Sequence, residues 1–600
     1  MLIEMVFANR FTVLVLASAF PAAQAARAET FSAASFGVRK EWTAVVGVGG
    51  SMEVVEKSRA VLKSPFPNSV CFLQRTVPVE GNYVFEVAVR GARSDSTGGI
   101  LLGACKGPLP VEGNIGAVCD AQYKAYWYPY GWLGVARGDH ALVTVQGPGD
   151  YVNWDGKEWV HRWARTGVAM SPEATYTFRL ERRDARYLLS VRDGNGETIL
   201  SPRAVEGETL SGGLGPDTLV IGDPWAKHSA MELEVLSVSV NEETVDFGEA
   251  DRKLESKMET FGDEQIQVTV GKPFTISSSP SHYNFPTLKQ LREKELFVAI
   301  WASPDASLEP DDCDVACVWT EDGGESWDEP LVFHGGEGGG HSWIRRKDGT
   351  CVWLRYFCRP IDGKTLSCDV GHSEDGRNYT WSVGKVTFPE PVKPWTKGNA
   401  YMVFARSILE VDDGSLLATM YGYFERDAKY RSLLVRSTDG GTNWDYYSTM
   451  AFSLDAPGEG CCEPVIARTS NGDLLCVMRV SSNLPMWVCR SADAGKTWSD
   501  PHELPFYSAS VFPDMVLMAN GILAVSFGRP GAHVMFSVDG EGRRWTARTT
   551  IHDGTNTDAY TAIREIAPGR LLYVFHENRN RDSGQGVNAI RGVVVEVKRK

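Results

Sequence analysis

Along the first part of the chain, apolar and polar residues alternate over short stretches. Tyr83-Val-Phe-Glu-Val-Ala-Val89, the pair Tyr176-Thr-Phe-Arg-Leu180 and Tyr187-Leu-Leu-Ser-Val191, and Met231-Glu-Leu-Glu-Val-Leu-Ser-Val238 all repeat with a period of two. That is the period of a strand with one buried face, and hairpin-joined runs of this kind predict an antiparallel β-sandwich over residues 27–245. In the second part the pattern changes to a turn residue followed by an apolar run. Asp348-Gly349-Thr-Cys-Val-Trp353, Asp413-Gly414-Ser-Leu-Leu-Ala418, Asn471-Gly472-Asp-Leu-Leu-Cys476, Asn520-Gly521-Ile-Leu-Ala-Val525 and Pro568-Gly569-Arg-Leu-Leu-Tyr573 share it, with a degenerate sixth copy at Glu293-Lys-Glu-Leu-Phe-Val298.

A second motif interleaves with the first. Thr320-Glu-Asp322-Gly-Gly-Glu-Ser-Trp327, Ser437-Thr-Asp439-Gly-Gly-Thr-Asn-Trp444 and Ser491-Ala-Asp493-Ala-Gly-Lys-Thr-Trp498 fit Ser/Thr-x-Asp-x-Gly-x-x-Trp, and the segments around Asp375 and Asp539 carry one extra residue. An Asp side chain can accept bonds from amides a few residues on, Gly supplies positive φ, and Trp packs the turn onto its sheet, so the motif is a structural hairpin turn. These aspartates recur at intervals of 53, 64, 54 and 46, near the period of a four-stranded propeller blade. Six copies of the first motif predict six blades over residues 266–600. One blade lacks an Asp turn, and a strand near 266–275 is expected to pair with Gly592–Val597 and close the ring. The predicted fold is all-β, a six-bladed β-propeller preceded by a β-sandwich, with the charged stretch 246–265 as linker.

Composition narrows the partners. With 61 Lys and Arg against 76 Asp and Glu the net charge is −15, which argues against nucleic acid and anionic membranes. Sixty glycines and 10% aromatic residues in 600 suit tight turns joining aromatic-rich strands. Arg10, the apolar run Phe11–Phe20 and Ala23-Gln-Ala25 read as a secretory signal peptide over residues 1–26, cleaved near Ala25, placing the mature protein in the periplasm or outside the cell. No apolar segment is long enough to span a bilayer. In an exported chain the twelve cysteines are expected to act as local disulfide staples. Neither Cys313 with Cys317 nor the adjacent Cys461 and Cys462 has the companions a zinc site needs, so no metal and no cofactor are expected.

In a propeller, one register position from every blade lines the same mouth. Counting nine residues back from each turn Gly gives Gly340, Ala405, Glu463, Phe512 and Tyr560, with Phe285 from the degenerate copy. The ends of the following strands give Trp301, Tyr356, Tyr421, Arg479, Arg529 and His576. One mouth therefore collects a carboxylate, a phenol, two guanidiniums and several aromatics.

Over residues 266–600 these motifs resemble the sialidase (neuraminidase) family. Gly460-Cys-Cys-Glu463-Pro, with Arg479 sixteen residues after the Glu, is similar to the family segment bearing a catalytic Glu and a substrate-carboxylate Arg; Ser526-Phe-Gly-Arg529-Pro is similar to the segment bearing a second such Arg. Asp558-Ala-Tyr560 through Leu571-Leu-Tyr-Val-Phe-His-Glu577 looks like the segment with the nucleophilic Tyr and its closing Glu. The resemblance implies an exo-acting retaining glycosidase that releases a terminal sialic or related acidic sugar from a glycan. A neutral phenol can approach an anomeric carbon that carries its own carboxylate, and Glu463 would take the proton of Tyr560. Arg479 and Arg529 would clamp the sugar carboxylate. The family's first-blade Arg is replaced by Asn284 in Tyr283-Asn-Phe-Pro286, which leaves Glu577 without the partner its counterpart steadies. A general acid is expected in the loop Ser303–Asp312, at Asp311 ahead of Asp305. His341 and Arg406 are further candidate contacts. The N-terminal part resembles a concanavalin or laminin-G-like, lectin-like jelly roll, and its cluster Tyr123–Trp132 could stack on sugar rings. Two alternatives stay open: an exo-glycosidase for a different terminal sugar, which Asn284 favours, and a non-catalytic carbohydrate-binding propeller.

Overall fold

The computed structural model describes the chain from Ser32 to Lys600 except for residues 37–40, 48, 65–69, 78–80, 95–99, 107–108, 110–133, 137–140, 145–152, 155–158, 161–168, 171–172, 184–185, 206–216, 224–230, 251, 256–262, 304–313, 334–341, 396–399, 457, 482–483, 505–510, 530, 553–556, 558–559 and 579–587. The expected signal peptide and the cluster Tyr123–Trp132 lie outside the described residues. The fold is all-β, and among the described residues no helix is long and apolar enough to cross a membrane.

Up to Glu255 the strands form two main antiparallel sheets. One has five strands, ordered Ser32–Phe36, Trp42–Val46, Cys71–Thr76, Asp217–Asp223 and Leu101–Lys106; the other has nine and centres on Tyr83–Ser94 between Thr175–Arg183 and Met231–Val240. The alternation seen in the sequence is the alternation of burial: Met231, Leu233, Val235, Val238 and Val240 are buried while Glu232 is exposed. Phe36, Trp42, Leu73 and Ile221 from the first sheet share one hydrophobic core with Phe85, Val87, Phe178 and Leu233 from the second. The stretch expected to be a linker is partly built into this layer. Lys253–Glu255 pairs with Ser51–Glu53, and Phe247 is 1% exposed in the same core.

From Ile266 onward six successive groups of antiparallel strands can be followed through three four-stranded sheets, a five-stranded sheet and a nine-stranded sheet in which the parallel pair Thr380–Thr387 and Trp444–Ala451 joins two groups. Five of them are sequential; the first, for example, runs Asn284–Gln290, Leu296–Trp301, Val315–Thr320 and Leu331–Phe333. The sixth consists of Thr561–Ala567, Arg570–Asn578 and Asn588–Arg599, completed by Ile266–Val270 and Phe274–Ser279, which both pair with Asn588–Arg599; Val268 lies opposite Val597. Hydrophobic cores between successive groups close into a ring. Phe297 shares a core with Trp353, Val352 with Phe404, Leu417 with Ile466, Val477 with Val525, Val534 with Tyr573, and Leu572 with Leu288 and Val298 across the closing seam. Strands packed on both faces have no polar side, which is why Leu416–Phe424 is buried at all nine positions.

The Asp motifs form the turns between third and fourth strands. At Asp439, Oδ1 accepts the amides of Thr442 at 3.2 Å and Asn443 at 3.0 Å, Gly441 has φ 99°, and Trp444 donates Nε1 to the Gly441 carbonyl at 2.8 Å while 1% exposed. The sixth group has no such turn because its fourth strand arrives from the other end of the ring. The staples expected of the cysteines do not form among the described residues: Cys71, Cys317, Cys351, Cys358, Cys368, Cys461, Cys462, Cys476 and Cys489 are free and buried. All but Cys461, which precedes its strand, fill strand positions inside the cores, as small apolar side chains do.

Candidate functional site

The inner strands of the first and fourth groups begin with a register shift, between Asn284 and Thr287 and between Cys462 and Val465. Within these shifts Phe285 has φ 48° and Glu463 φ 46°, and Arg529 at the end of a second strand has φ 67°. Each precedes a proline in the sequence. Positive φ is costly for residues with a Cβ, and proline restricts its predecessor further. Three of the six non-glycine positive-φ residues described thus gather at one mouth, where such strain commonly marks a functional site.

There the chain encloses a cavity of about 240 Å³ lined by Glu459, Cys462, Glu463, Arg479 and nine aromatic residues, including Phe285, Trp301, Trp395, Tyr421 and Tyr560. Glu463 is 6% exposed. Its Oε1 accepts the Tyr560 hydroxyl at 3.1 Å and Arg479 Nη1 at 2.9 Å, and its Oε2 accepts the Phe512 amide at 2.7 Å. Those bonds fix the carboxylate with one oxygen on the phenol. Tyr560 packs on Phe285 at 4.4 Å between ring centroids and stacks on His576 at 6.4 Å, and the Arg529 guanidinium lies 5.5 Å from its ring centre. Arg479 Nη2 also lies 3.3 Å from Glu459 Oε2. Burial pulls the Arg479 guanidinium down, but Glu463, Tyr560, Cys462 and Glu459 outweigh it and hold it well above its ordinary range. Burial raises the Tyr356 and Tyr421 phenols well above theirs, so both stay protonated, hydrogen-bonded to each other.

The remaining expected residues are placed differently. Asn284 is buried, donates Nδ2 to the Ser303 carbonyl at 3.3 Å, and is not among the residues lining the cavity. Arg406 lies beneath the floor with its side chain 1% exposed: Nη1 donates to the Thr561 carbonyl and lies 3.7 Å from Asp514 Oδ2, and the guanidinium sits 4.8 Å from the Phe512 ring centre. Under the cavity, Lys289 Nζ donates to the Arg406 carbonyl at 3.2 Å and Arg564 Nη1 to Asp514 at 2.9 Å. Glu577, expected to lack a partner, is held at 2.7 Å by Arg591 from the adjacent strand. Asp305, Asp311 and His341 lie outside the described residues. None of the five turn aspartates lines the cavity.

Sequence reasoning missed Glu459, Trp395 and Tyr430, which come from loops rather than from the strand register, and Phe357, which follows Tyr356 on its strand. The Glu459-Gly460 step before Cys461 was the one available signal. Among the described residues no group of His, Cys, Asp and Glu is arranged to hold a metal ion.

A phenol hydrogen-bonded to a fixed carboxylate in an aromatic pocket can act as a nucleophile with its base. The profile of the BNR repeat-like domain matches residues 297–568. Similar solved structures include a protein of unknown function from Dyadobacter fermentans (18% identity, TM-score 0.44, 55% of this chain and 99% of that one) and the NanB sialidase of Streptococcus pneumoniae (10%, 0.40, 86% and 95%). Another is the α-L-arabinanase of Penicillium chrysogenum complexed with arabinobiose (17%, 0.41, 54% and 98%). The sequence matches no curated protein.

Proposed function

We propose that the chain is an exo-acting, retaining glycoside hydrolase that releases one terminal sugar from a glycan, with Tyr560 as nucleophile and Glu463 as its base. The observation that carries this reading is the 3.1 Å hydrogen bond between the two at the cavity wall. In it, the six strand groups are the blades of a sialidase-type propeller, five of them carrying an Asp-box turn, behind a lectin-like sandwich, and the chain is exported.

In the first step a bond forms between the Tyr560 oxygen and the anomeric carbon, and the phenolic proton passes to Glu463. The glycosidic C–O bond breaks, and its oxygen takes a proton from an acid, for which Asp311 and then Asp305 are the candidates. In the second step water attacks the anomeric carbon and gives a proton to that acid. The Tyr560 oxygen leaves and recovers its proton from Glu463, restoring the starting state with the anomeric configuration retained.

The test is a panel of fluorogenic glycosides with Tyr560→Phe and Glu463→Gln, together with trapping by ring-fluorinated glycosyl fluorides. Tyr560→Phe is expected to lower kcat by roughly a thousandfold or more while sparing the fold, and peptide mapping is expected to find the trapped sugar on Tyr560. Near-wild-type turnover in Tyr560→Phe removes that residue from the nucleophile role. Sugar binding without turnover of any glycoside assigns the propeller to carbohydrate binding instead.

A further inference from the structure

The charges of the pocket bear on which sugar it accepts. Arg479 is the one cation among the described residues lining the cavity, and Glu459 and Glu463 are its two carboxylates. Both terminal nitrogens of Arg479 face them, Nη1 toward Glu463 at 2.9 Å and Nη2 toward Glu459 at 3.3 Å. Among the described residues the lining thus holds one cation against two carboxylates. A guanidinium clamps a ligand carboxylate through its paired N–H donors, and here those donors already hold protein carboxylates.

The cations just outside the lining are turned to other partners: Arg406, behind the Phe512 ring, donates to the Thr561 carbonyl and lies 3.7 Å from Asp514. Asn284 is neutral and turned onto the Ser303 carbonyl, and Arg529 lies against the Tyr560 ring rather than in the lining. The rest of the wall is aromatic: Trp395 and Tyr421 stack at 5.5 Å with Tyr430 edge-on to both, and Tyr356 and Tyr421 bring hydroxyls. Rings that receive C–H faces and phenols that bond hydroxyls suit an uncharged sugar. The volume of about 240 Å³ is below the roughly 300–1,000 Å³ of common ligand pockets, which fits one ring.

We propose that the pocket selects an uncharged terminal sugar and turns carboxylated sugars away, with Glu459 as the specificity-determining residue. This rests on the reading of the cavity as the sugar site. A substrate carboxylate entering it would meet two like charges in place of an open guanidinium.

The experiment measures kcat/KM for neutral aryl pentosides and hexosides and for an aryl sialoside, on the wild-type chain and on Glu459→Gln. In parallel, calorimetry measures binding of the methyl glycosides of the same sugars. The best neutral glycoside is expected to exceed the sialoside by roughly a hundredfold, and Glu459→Gln, which releases one side of Arg479, is expected to shift that ratio about tenfold toward the sialoside. A wild-type preference for the sialoside, or an unchanged ratio in Glu459→Gln, overturns the proposal. Calorimetry separates this from the hydrolase reading: neutral sugars bound in preference to the sialoside, with nothing turned over, keep the specificity and discard the hydrolysis.

Discussion

Lys289, Arg406 and Arg564 surround a single carboxylate, Asp514, beneath the cavity floor. Burial, then Arg564 and Arg406, push the Lys289 ammonium well below the ordinary lysine range, with Asp514 opposing. A lysine that gives up its proton more readily when folded than when unfolded costs stability as the pH falls below the unfolded value of about 10.4. Lys289→Met should therefore raise the urea midpoint at about pH 7, with the gain shrinking toward about pH 10. Urea titrations across that range check it, and a midpoint lowered at every pH would assign Lys289 a net stabilising ion pair. Only Arg406 stood out in the sequence, as a candidate contact of the mouth; its part in this cluster was not legible there. The cluster's members come from four strands of four groups, and nothing local marks any of them as facing the others.

Among the strands and turns, the Asp turn was legible because its bonds close within a few residues. The hydrogen bonds of Thr497, to backbone and hydroxyl, and of Ser491 draw the Asp493 carboxyl down to about 2. A carboxyl depressed in this way supports the fold above its unfolded value of about 3.9, and that support is lost as the pH falls through about 2. Asp493→Asn is accordingly expected to flatten the acid limb of the stability curve, as thermal melts between about pH 5 and pH 2 would show. Asp439→Ala removes the acceptor that orders the turn over the buried Trp444. It should lower Tm by about 2–4 °C and leave kcat/KM unchanged, because the turn is not part of the cavity. A changed KM would place the turn nearer the site than the lining indicates.

The ring as a unit is closed by Ile266–Val270 lying beside Asn588–Arg599, which buries what would otherwise be open strand edges. The nine free cysteines sit in its cores and in the N-terminal one, so stability comes from packed sheets. Reductant is expected to move Tm by less than about 2 °C, whereas loss of a structural disulfide, at about 2–4 kcal/mol, would move it further. Paired melts with and without a thiol decide this, and a larger drop would reveal a disulfide involving the cysteines outside the described residues.

Local pattern was enough to specify the turns, the succession of strands, the closing pair and the register that brings Glu463, Tyr560 and Arg479 to one mouth. Each depends on short-range chemistry, namely Asp and Gly turn geometry and the two-residue strand period, multiplied by a repeat. How those groups are used emerged only from the folded chain: Glu459 holding Arg479, Asn284 turned onto a backbone carbonyl, Arg591 taking up Glu577, and cysteines left unpaired. Such pairings depend on loops and side-chain directions that bring together residues far apart in the chain, and no local pattern encodes them.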